Sequence, residues 1–504
     1  MPHVRTSTFD RRSILLGAAR GATIVAARKV LQSAPLLGLT ALSRAAGEAS
    51  ELLVAPPEIR SRDGVLETTI TAAARPVRLG DQQFAGMLYN GTYVPPTLRL
   101  RLGDTLRLTF RNDLGARSGL DQSGTIGPIC IGGAGRPSNV HFHGMSVSPR
   151  GNSDNVFVHV RSGESFTYDV RVPAAGRQGP GLYWYHPHAH GYVDEQILGG
   201  MSGALVVDGF ERLYSLVRDL PERFLLIKHA QIGDGEVVSI NGQMKPAIAM
   251  RPGEMQFWRI AHIGASLFVK FRIEGMALYV VATDGHPLSQ PRKISEFLIG
   301  PGERIEAIAV GPPAGEYVMR TIAFQNEAWR PPEAVRDLAL IVSSGAASAG
   351  DAESEILRQR VEGARWIDEV RTAPIAHRCT LVYSRTSDRQ VFMIDGRTTD
   401  ENRIDQTVRL GDTEEWTVIN TDQQYHSFHI HQTPFLVTEI NGAPANDDSL
   451  RDTASVPPST GVHHGTLKVI IPFTDPVIVG RFVYHCHSVN HEDKGMMGVI
   501  TVVG

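Results

Sequence analysis

Arg409-Leu410-Gly411-Asp412 opens a pattern that occurs three times along the chain. The motif stands again as Arg101-Leu102-Gly103-Asp104 and as Arg251-Pro252-Gly253-Glu254. Each copy leads into an alternating apolar run such as Thr105-Leu106-Arg107-Leu108-Thr109-Phe110. Alternation with period two puts one set of side chains on a buried face and the other in solvent. A turn dipeptide precedes each copy: Asn90-Gly91, Asn241-Gly242 and Asp395-Gly396. Such dipeptides favour tight turns with positive φ. A closing run also recurs, as Gly181-Leu182-Tyr183-Trp184-Tyr185, Gly315-Glu316-Tyr317-Val318-Met319 and Gly480-Arg481-Phe482-Val483-Tyr484. Short alternating strands bounded by Gly, Pro, Asn and Asp predict antiparallel β-sandwiches, and the threefold repetition predicts three of them.

The expected boundaries follow from the repeats. The first domain runs over 51–208, the second over 209–343 and the third over 376–504, with an Ala/Gly/Ser/Glu-rich linker at 344–375 in which Glu353–Val361 reads as a short surface helix. A chain of 504 residues suits about three domains, and 42% apolar residues suffice for ordinary cores. The net charge of −3, with Lys and Arg spread along the chain, gives no electrostatic case for nucleic acid or an anionic membrane. Three cysteines are too few for a disulfide scaffold. Cys130 and Cys379 fall in different expected domains and read as two buried free thiols. The Gly-rich segment Arg117–Pro137 has no counterpart in the other repeats and reads as an inserted loop.

The chemistry is concentrated in four clusters: His141-Phe142-His143, Trp184-Tyr185-His186-Pro187-His188, His426-Ser427-Phe428-His429-Ile430-His431, and the run from Tyr484-His485-Cys486-His487 through His491-Glu492-Asp493 to Met496. Of nineteen histidines, ten lie in these clusters. A lone histidine is ordinarily a satisfied core or surface residue, but four complementary clusters imply metal. Cysteine thiolate, two imidazoles and a thioether make a blue-copper electron-transfer site. Cys486, His491 and Met496 supply three of those four ligands. On a strand, His485 and His487 point away from Cys486, towards a second metal centre.

These motifs resemble those of the multicopper oxidases, the family of laccases, bilirubin oxidases and bacterial cuprous oxidases, over nearly all of the chain after residue 50. The resemblance implies an all-β fold of three consecutive cupredoxin-like Greek-key sandwiches. It implies four copper ions: a type 1 copper at His426, Cys486, His491 and Met496; a type 2 copper at His141 and His429; and a type 3 pair at His143, His186, His188, His431, His485 and His487. His190 has no ligand role in that pattern. Aligned by their repeats, the middle domain has Phe268, Phe271 and Ile273 where the third has His426, His429 and His431, and Arg320, Thr321 and Ile322 where the third has His485, Cys486 and His487. The middle domain is therefore expected to be a spacer and a wall of the substrate cleft. The first domain has Pro187 in place of the cysteine, so it supplies histidines to a cluster shared with the third.

The family's activity couples one-electron oxidation of a small reductant, phenolic or a metal ion, to reduction of dioxygen to water. The axial Met496 goes with a lower-potential blue site and so with easily oxidised substrates. Glu492 and Asp154 match the family's acidic positions and are expected to deliver protons. Asp422, four residues before His426, reads as a turn former or as a partner of that imidazole. Residues 442–465 read as plain solvent loops in preference to loops that shape the cleft. Two alternatives stand beside the laccase-like oxidase. A cuprous oxidase would often carry a Met-rich insert, and this chain has twelve methionines with no such run. A non-catalytic structural protein would have eroded ligands, and every ligand position here is intact.

The first fifty residues differ from the rest. Asp10-Arg11-Arg12-Ser13-Ile14-Leu15-Leu16 resembles a twin-arginine export signal, followed by an Ala/Gly-rich stretch that ends in small residues near Ala49. Export to the periplasm or medium is expected. No stable membrane insertion is expected, because Arg20, Arg28 and Lys29 interrupt the apolar stretch.

Overall fold

The computed structural model describes residues 50–115, 136–233, 235–361, 365–445 and 447–504. The signal-like segment up to residue 49, Cys130, and all of the 117–137 insert but its last two residues lie outside these. Six sheets form among the described residues, and they come in pairs.

In the first pair, the strands Glu58–Arg60, Thr97–Arg101, Gly203–Asp208, Gly181–His186 and His141–His143 lie side by side in that order. The facing sheet holds Gln82–Tyr89, Val65–Leu79, Thr105–Asp113 and Ser165–Arg171. The other two pairs draw their strands from Glu222–Ser343 and His377–Val503. Each pair encloses its own core. Leu66, Leu106, Leu108 and Phe110 meet Leu100, Phe142, Tyr185 and Leu205 in the first. Trp258 and Ile305 meet Ile248 and Ile341 in the second. Trp416 and Val469 meet Phe428, Tyr484 and Ile500 in the third. The chain is thus all-β, three consecutive sandwiches.

The three turn dipeptides adopt positive φ at both residues: 51° and 73° at Asn90-Gly91, 53° and 73° at Asn241-Gly242, 54° and 72° at Asp395-Gly396. The expectation of antiparallel sheets needs a correction. Each sandwich contains a parallel pair: Val65–Leu79 with Thr105–Asp113, Glu222–Ile232 with Met255–His262, and His377–Arg385 with Thr413–Asn420. Parallel neighbours cannot be joined by a hairpin, so the chain crosses to the other sheet between them. Alternation along a strand does not reveal that crossing.

The described residues of 344–375 form a strap. It carries the helices Ala352–Leu357 and Arg365–Thr372. Ile356 and Val361 pack with Tyr214 and Val281, while Ile367 and Val370 pack with Leu436 and Leu450. Cys379, expected to be buried, is half-exposed at the start of the strand His377–Arg385.

The sandwiches adhere through a shared apolar cluster. It joins Leu182, Trp184 and Val206 of the first, Phe224, Leu226 and Ala261 of the second, and Val489 of the third. Lys228, fully buried on a strand of the middle sandwich, adds a polar clasp. Its Nζ donates to the carbonyls of Tyr93 (2.5 Å), Gly200 (2.8 Å) and Ser202 (3.2 Å) in the first. Leaving a buried acceptor without a donor costs roughly 1–3 kcal/mol. Lys228→Met keeps the length of the side chain and removes every donor, so it should lower the unfolding free energy by about 3 kcal/mol or more. Chemical denaturation measures this, and a change within about 0.5 kcal/mol, as at an ordinary surface position, would refute the clasp.

Candidate metal centres

The strand Gly480–Cys486 lies antiparallel to His426–Ile430, with Cys486 opposite Phe428 and His485 opposite His429. Residues opposite each other share a face, and side chains alternate. His426, Phe428 and Cys486 therefore face the core of the third sandwich, and His429 and His485 face out of it. The two faces become two sites.

On the inner face, Cys486 Sγ lies 3.4 Å from His426 Nδ1 and 3.5 Å from His491 Nδ1, and the two imidazole nitrogens are 3.2 Å apart. The short helix Val489–Asp493 brings His491 back to the cysteine, and its ring stacks on Phe392 at 4.1 Å. Met496 is fully buried in the same core, its backbone bonded to those of Cys486 and His491. Ser427 N–H donates to the sulfur at 3.4 Å. Burial pushes the Cys486 thiol up to about 12, so a thiolate here requires a cation beside it.

On the outer face, the first sandwich supplies the other half. Its strand His141–His143 pairs with Gly181–His186, setting His141 opposite His186. Three groups of converging nitrogens result: His188, His431 and His485; His143, His186 and His487; and His141, His143 and His429. His485 Nε2 is 3.3 Å from both His188 Nε2 and His431 Nε2, and His143 Nδ1 is 3.1 Å from His487 Nε2. All eight of these histidines are buried. His190 stands in the field of Glu492 and Glu401.

Most of these rings are held from behind, as metal-ligating histidines commonly are. Asp154 Oδ1 accepts from the Phe142 N–H and lies 3.0 Å from His141 Nδ1, while its Oδ2 accepts from Gln432 at 2.6 Å. These contacts hold Asp154 against His141. Glu492 is fully buried, with Oε2 3.0 Å from His485 Nδ1 and Oε1 3.6 Å from His188 Nδ1. Neither of its oxygens receives a well-directed hydrogen bond. Burial would raise its carboxyl pKa, but His188 and His485 outweigh burial and hold it at about 2. Consecutive residues of one helix thus serve both sites, His491 the cysteine and Glu492 the cluster. Asp422 combines its two expected roles: it sits in the Asn420–Gln423 turn, donating its N–H to Asn420 Oδ1 and accepting from the Gln423 N–H, and it places Oδ2 3.4 Å from His426 Nε2, while Arg385 clamps its Oδ1 at 2.5 Å.

Two expectations are corrected. Residues 442–465 are not simply solvent loops: Asp452 and Thr453 in that segment are buried against His143 and His429. Polar composition suggested exposure, but these polar groups are satisfied by imidazoles and by Arg304. The middle sandwich is more than a spacer. Its Gly302, at φ +90°, lies so close that an added Cβ would sit 3.1 Å from His487 and 3.2 Å from His143. Its segment 324–334 also roofs a cleft of about 650 Å³ beside His491, lined by Glu236, Glu327, Arg330, Glu333 and Tyr425 among others. That part of the expectation, a cleft wall, matches. Trp329 of the same segment is stacked between Arg385 (4.1 Å) and Arg389 (3.8 Å).

The donor set fits a bound metal. His141 Nε2, His186 Nε2 and His429 Nε2 are buried with no hydrogen-bond partner, and each belongs to a converging group. Burying such atoms unpaired is costly, and a cation removes that cost. Thiolate with imidazole suits copper.

Comparison with known proteins agrees. Family models described as multicopper oxidase match residues 134–211, 183–346 and 373–503. A multicopper oxidase of Staphylococcus haemolyticus is 23% identical, with 88% of this chain and 90% of the relative covered. The cell division protein FtsP of Edwardsiella tarda is also 23% identical, over 92% and 95% of the two chains. A Campylobacter jejuni multicopper oxidase, described as a metallo-oxidase, superposes with a TM-score of 0.72 at 24% identity, covering 90% of this chain and 95% of that one. Sequence motifs, fold and family matches converge: this chain belongs to the multicopper oxidases and is a copper-dependent oxidoreductase.

Proposed function

We propose that this protein takes electrons one at a time from a phenolic or aromatic-type reductant and uses four of them, with four protons, to reduce dioxygen to two waters. One observation carries the proposal: the Cys486 site and the histidine cluster occupy opposite faces of one strand, and Cys486 is bonded through the backbone to His485 and His487. In this reading His426, Cys486, His491 and Met496 hold a type 1 copper and His141 and His429 a type 2 copper. His143, His186, His188, His431, His485 and His487 hold a type 3 pair. Bound there, copper supplies one-electron uptake at the cysteine site and dioxygen reduction at the cluster.

The chain's own groups divide the remaining work. His491, 9% exposed, presents its edge to the cleft, so a reductant held there is next to a ligand of the cysteine site. Asp154 keeps His141 oriented and is the second acid of the dioxygen site. Glu492, buried with unspent acceptor capacity between His188 and His485, relays protons. The intact ligand set supports an enzyme over a structural role like that named for the FtsP relative. A second reading, a metal ion as reductant, draws support from the carboxylates of Glu236, Glu327 and Glu333 in the cleft. These are countered by arginines, with Arg330 3.0 Å from Glu327 and Arg336 3.8 Å from both Glu236 and Glu333. Twin-arginine export through Arg11-Arg12 would place the enzyme in the periplasm or medium.

Purified protein should carry about four coppers per chain and a strong blue thiolate band. It should consume oxygen with 2,6-dimethoxyphenol, and Cys486→Ser should abolish both band and uptake. Uptake driven by cuprous ion alone would move the assignment to metal oxidation, and a colourless, inactive protein after copper reconstitution would move it to a structural role.

Glu492→Gln should slow dioxygen reduction by about 100-fold or more, the usual scale for a lost acid–base group. Anaerobic bleaching of the blue band by substrate should proceed at the wild-type rate. Stopped-flow spectroscopy separates the two steps, and unchanged reoxidation would exclude the relay.

Removing copper exposes a pH dependence. Burial, followed by neighbouring imidazoles, lowers the pKa of His143, His186, His429, His431 and His487 well below 6.5. Burial also lowers His188 to about 3. Below pH 6.5 the unfolded chain binds protons on these rings that the folded chain refuses, so stability falls as pH falls, by about 1.4 kcal/mol per unit for each ring within its window. The melting temperature of the metal-free protein should drop steeply from pH 7 to 5, and a flat profile would contradict the burial of neutral imidazoles.

A further inference from the structure

Arg304 of the middle sandwich is fully buried and joins all three sandwiches. Its Nε donates to the Leu182 carbonyl of the first at 3.2 Å, and its Nη1 to the Gly302 carbonyl of the second at 3.1 Å. Both Nη groups grip Asp452 of the third at 2.7 Å, a bidentate clamp. Its own N–H donates at 2.8 Å to Asp284. The Asp284 Oδ2 in turn accepts from the backbone N–H groups of Asp452 (3.3 Å) and Thr453 (3.2 Å). The segment bearing Asp452 is therefore fixed from the middle sandwich at both its side chain and its backbone.

Asp452 faces the cluster. Its Oδ1 is 3.1 Å from His143 Nε2, and its carbonyl oxygen is 2.7 Å from His429 Nδ1. Thr453 Oγ1 donates to Asp452 Oδ1 at 2.7 Å and sits 3.0 Å from His429 Nδ1. An ionised carboxylate only accepts, so His143 must carry its proton on Nε2 and present Nδ1 to the converging side. His485, His188, His431 and His487 present Nε2 there instead. The space is filled: an added Cβ at Gly144 would collide with Arg304 Nη2 and meet Asp452 Oδ2 at 2.6 Å.

We propose that Arg304 is a positioning residue for the histidine cluster. Through Asp452 it sets the tautomer of His143 and the place of His143 and His429, so the sandwich that holds no ligand governs how the other two share their site. This inference rests on reading the cluster as a copper site, and its test separates the two. Arg304→Gln, and the double variant Arg304→Gln/Asp452→Asn that removes both charges of the bidentate pair, are compared with Arg304→Lys and wild type. Copper content, electron paramagnetic resonance and the visible band are read on each protein. Nitrogen-15 shifts of labelled histidine are read on the metal-free form.

The Gln and double variants should keep the blue band while copper affinity at the cluster falls by about 10- to 100-fold, the usual scale for losing an outer partner of a ligand. The type 2 resonance should change with it, and Arg304→Lys should recover part of the loss. The labelled histidines of the metal-free wild type should include one protonated at Nε2 that the variants lose. Wild-type copper content, resonance and tautomers in folded variants would overturn the proposal. Wild-type protein that takes up no copper, yet shows the Nε2-protonated histidine, would sink the copper reading while leaving the positioning role standing.

Discussion

Everything in this molecule depends on the two-residue period of one strand. Because side chains alternate, Cys486 must face the inside of the third sandwich if His485 faces out. A thiolate site and an imidazole site are then obligatory neighbours, joined by covalent bonds that no domain motion can lengthen. The inward site is covered by the sandwich's own core. The outward site has no cover until another domain brings one. The first sandwich does so with histidines at the ends of the two paired strands His141–His143 and Gly181–His186, which makes the fold and the site a single problem.

Burying that many imidazoles at one interface creates an electrostatic demand. Each neutral ring has one nitrogen to offer inward and one that needs a partner outward. The outer partners found here are Asp154, Asp452, Thr453, Glu492 and backbone carbonyls. They differ in how their charge is handled. Asp452 is paired with Arg304, Asp154 accepts from the Phe142 N–H and the Gln432 amide, and Glu492 has neither kind of partner. Glu492 alone of the three has its charge held by two rings of the cluster itself, His188 and His485, rather than by an arginine or a backbone N–H.

Histidine spacing, the Cys486–Met496 loop and the threefold repeat were legible in the chain, because strand periodicity and ligand chemistry are local. The parallel pairings were not, since a crossover between sheets leaves no mark on the alternation of either strand. Asp452 and Thr453 were missed for a different reason. They lie in a polar, turn-rich stretch whose composition matches solvent loops, and only the arrival of Arg304 from another sandwich makes burial affordable. Arg304 gave no sign of this in the sequence, because it stands among charged neighbours in Glu303-Arg304-Ile305-Glu306.

The middle sandwich is the clearest case of a domain whose value cannot be read from its own ligands. It has none of the expected type, and alignment against its siblings makes it look like filler. Yet a two-domain arrangement of the first and third sandwiches alone would leave the Gly302 side of His143 and His487 bare and the carboxylate of Asp452 unpaired. It would also remove segment 324–334 from beside His491, opening the cysteine site to solvent on the side of the cleft. One inserted domain thus closes the histidine cluster with a glycine and an arginine and shapes the cleft beside His491 with a loop. Loss of its ligands and gain of these contacts are compatible, because the apolar side chains Phe271 and Ile273 stabilise its own core, freeing the loops between strands to serve its neighbours.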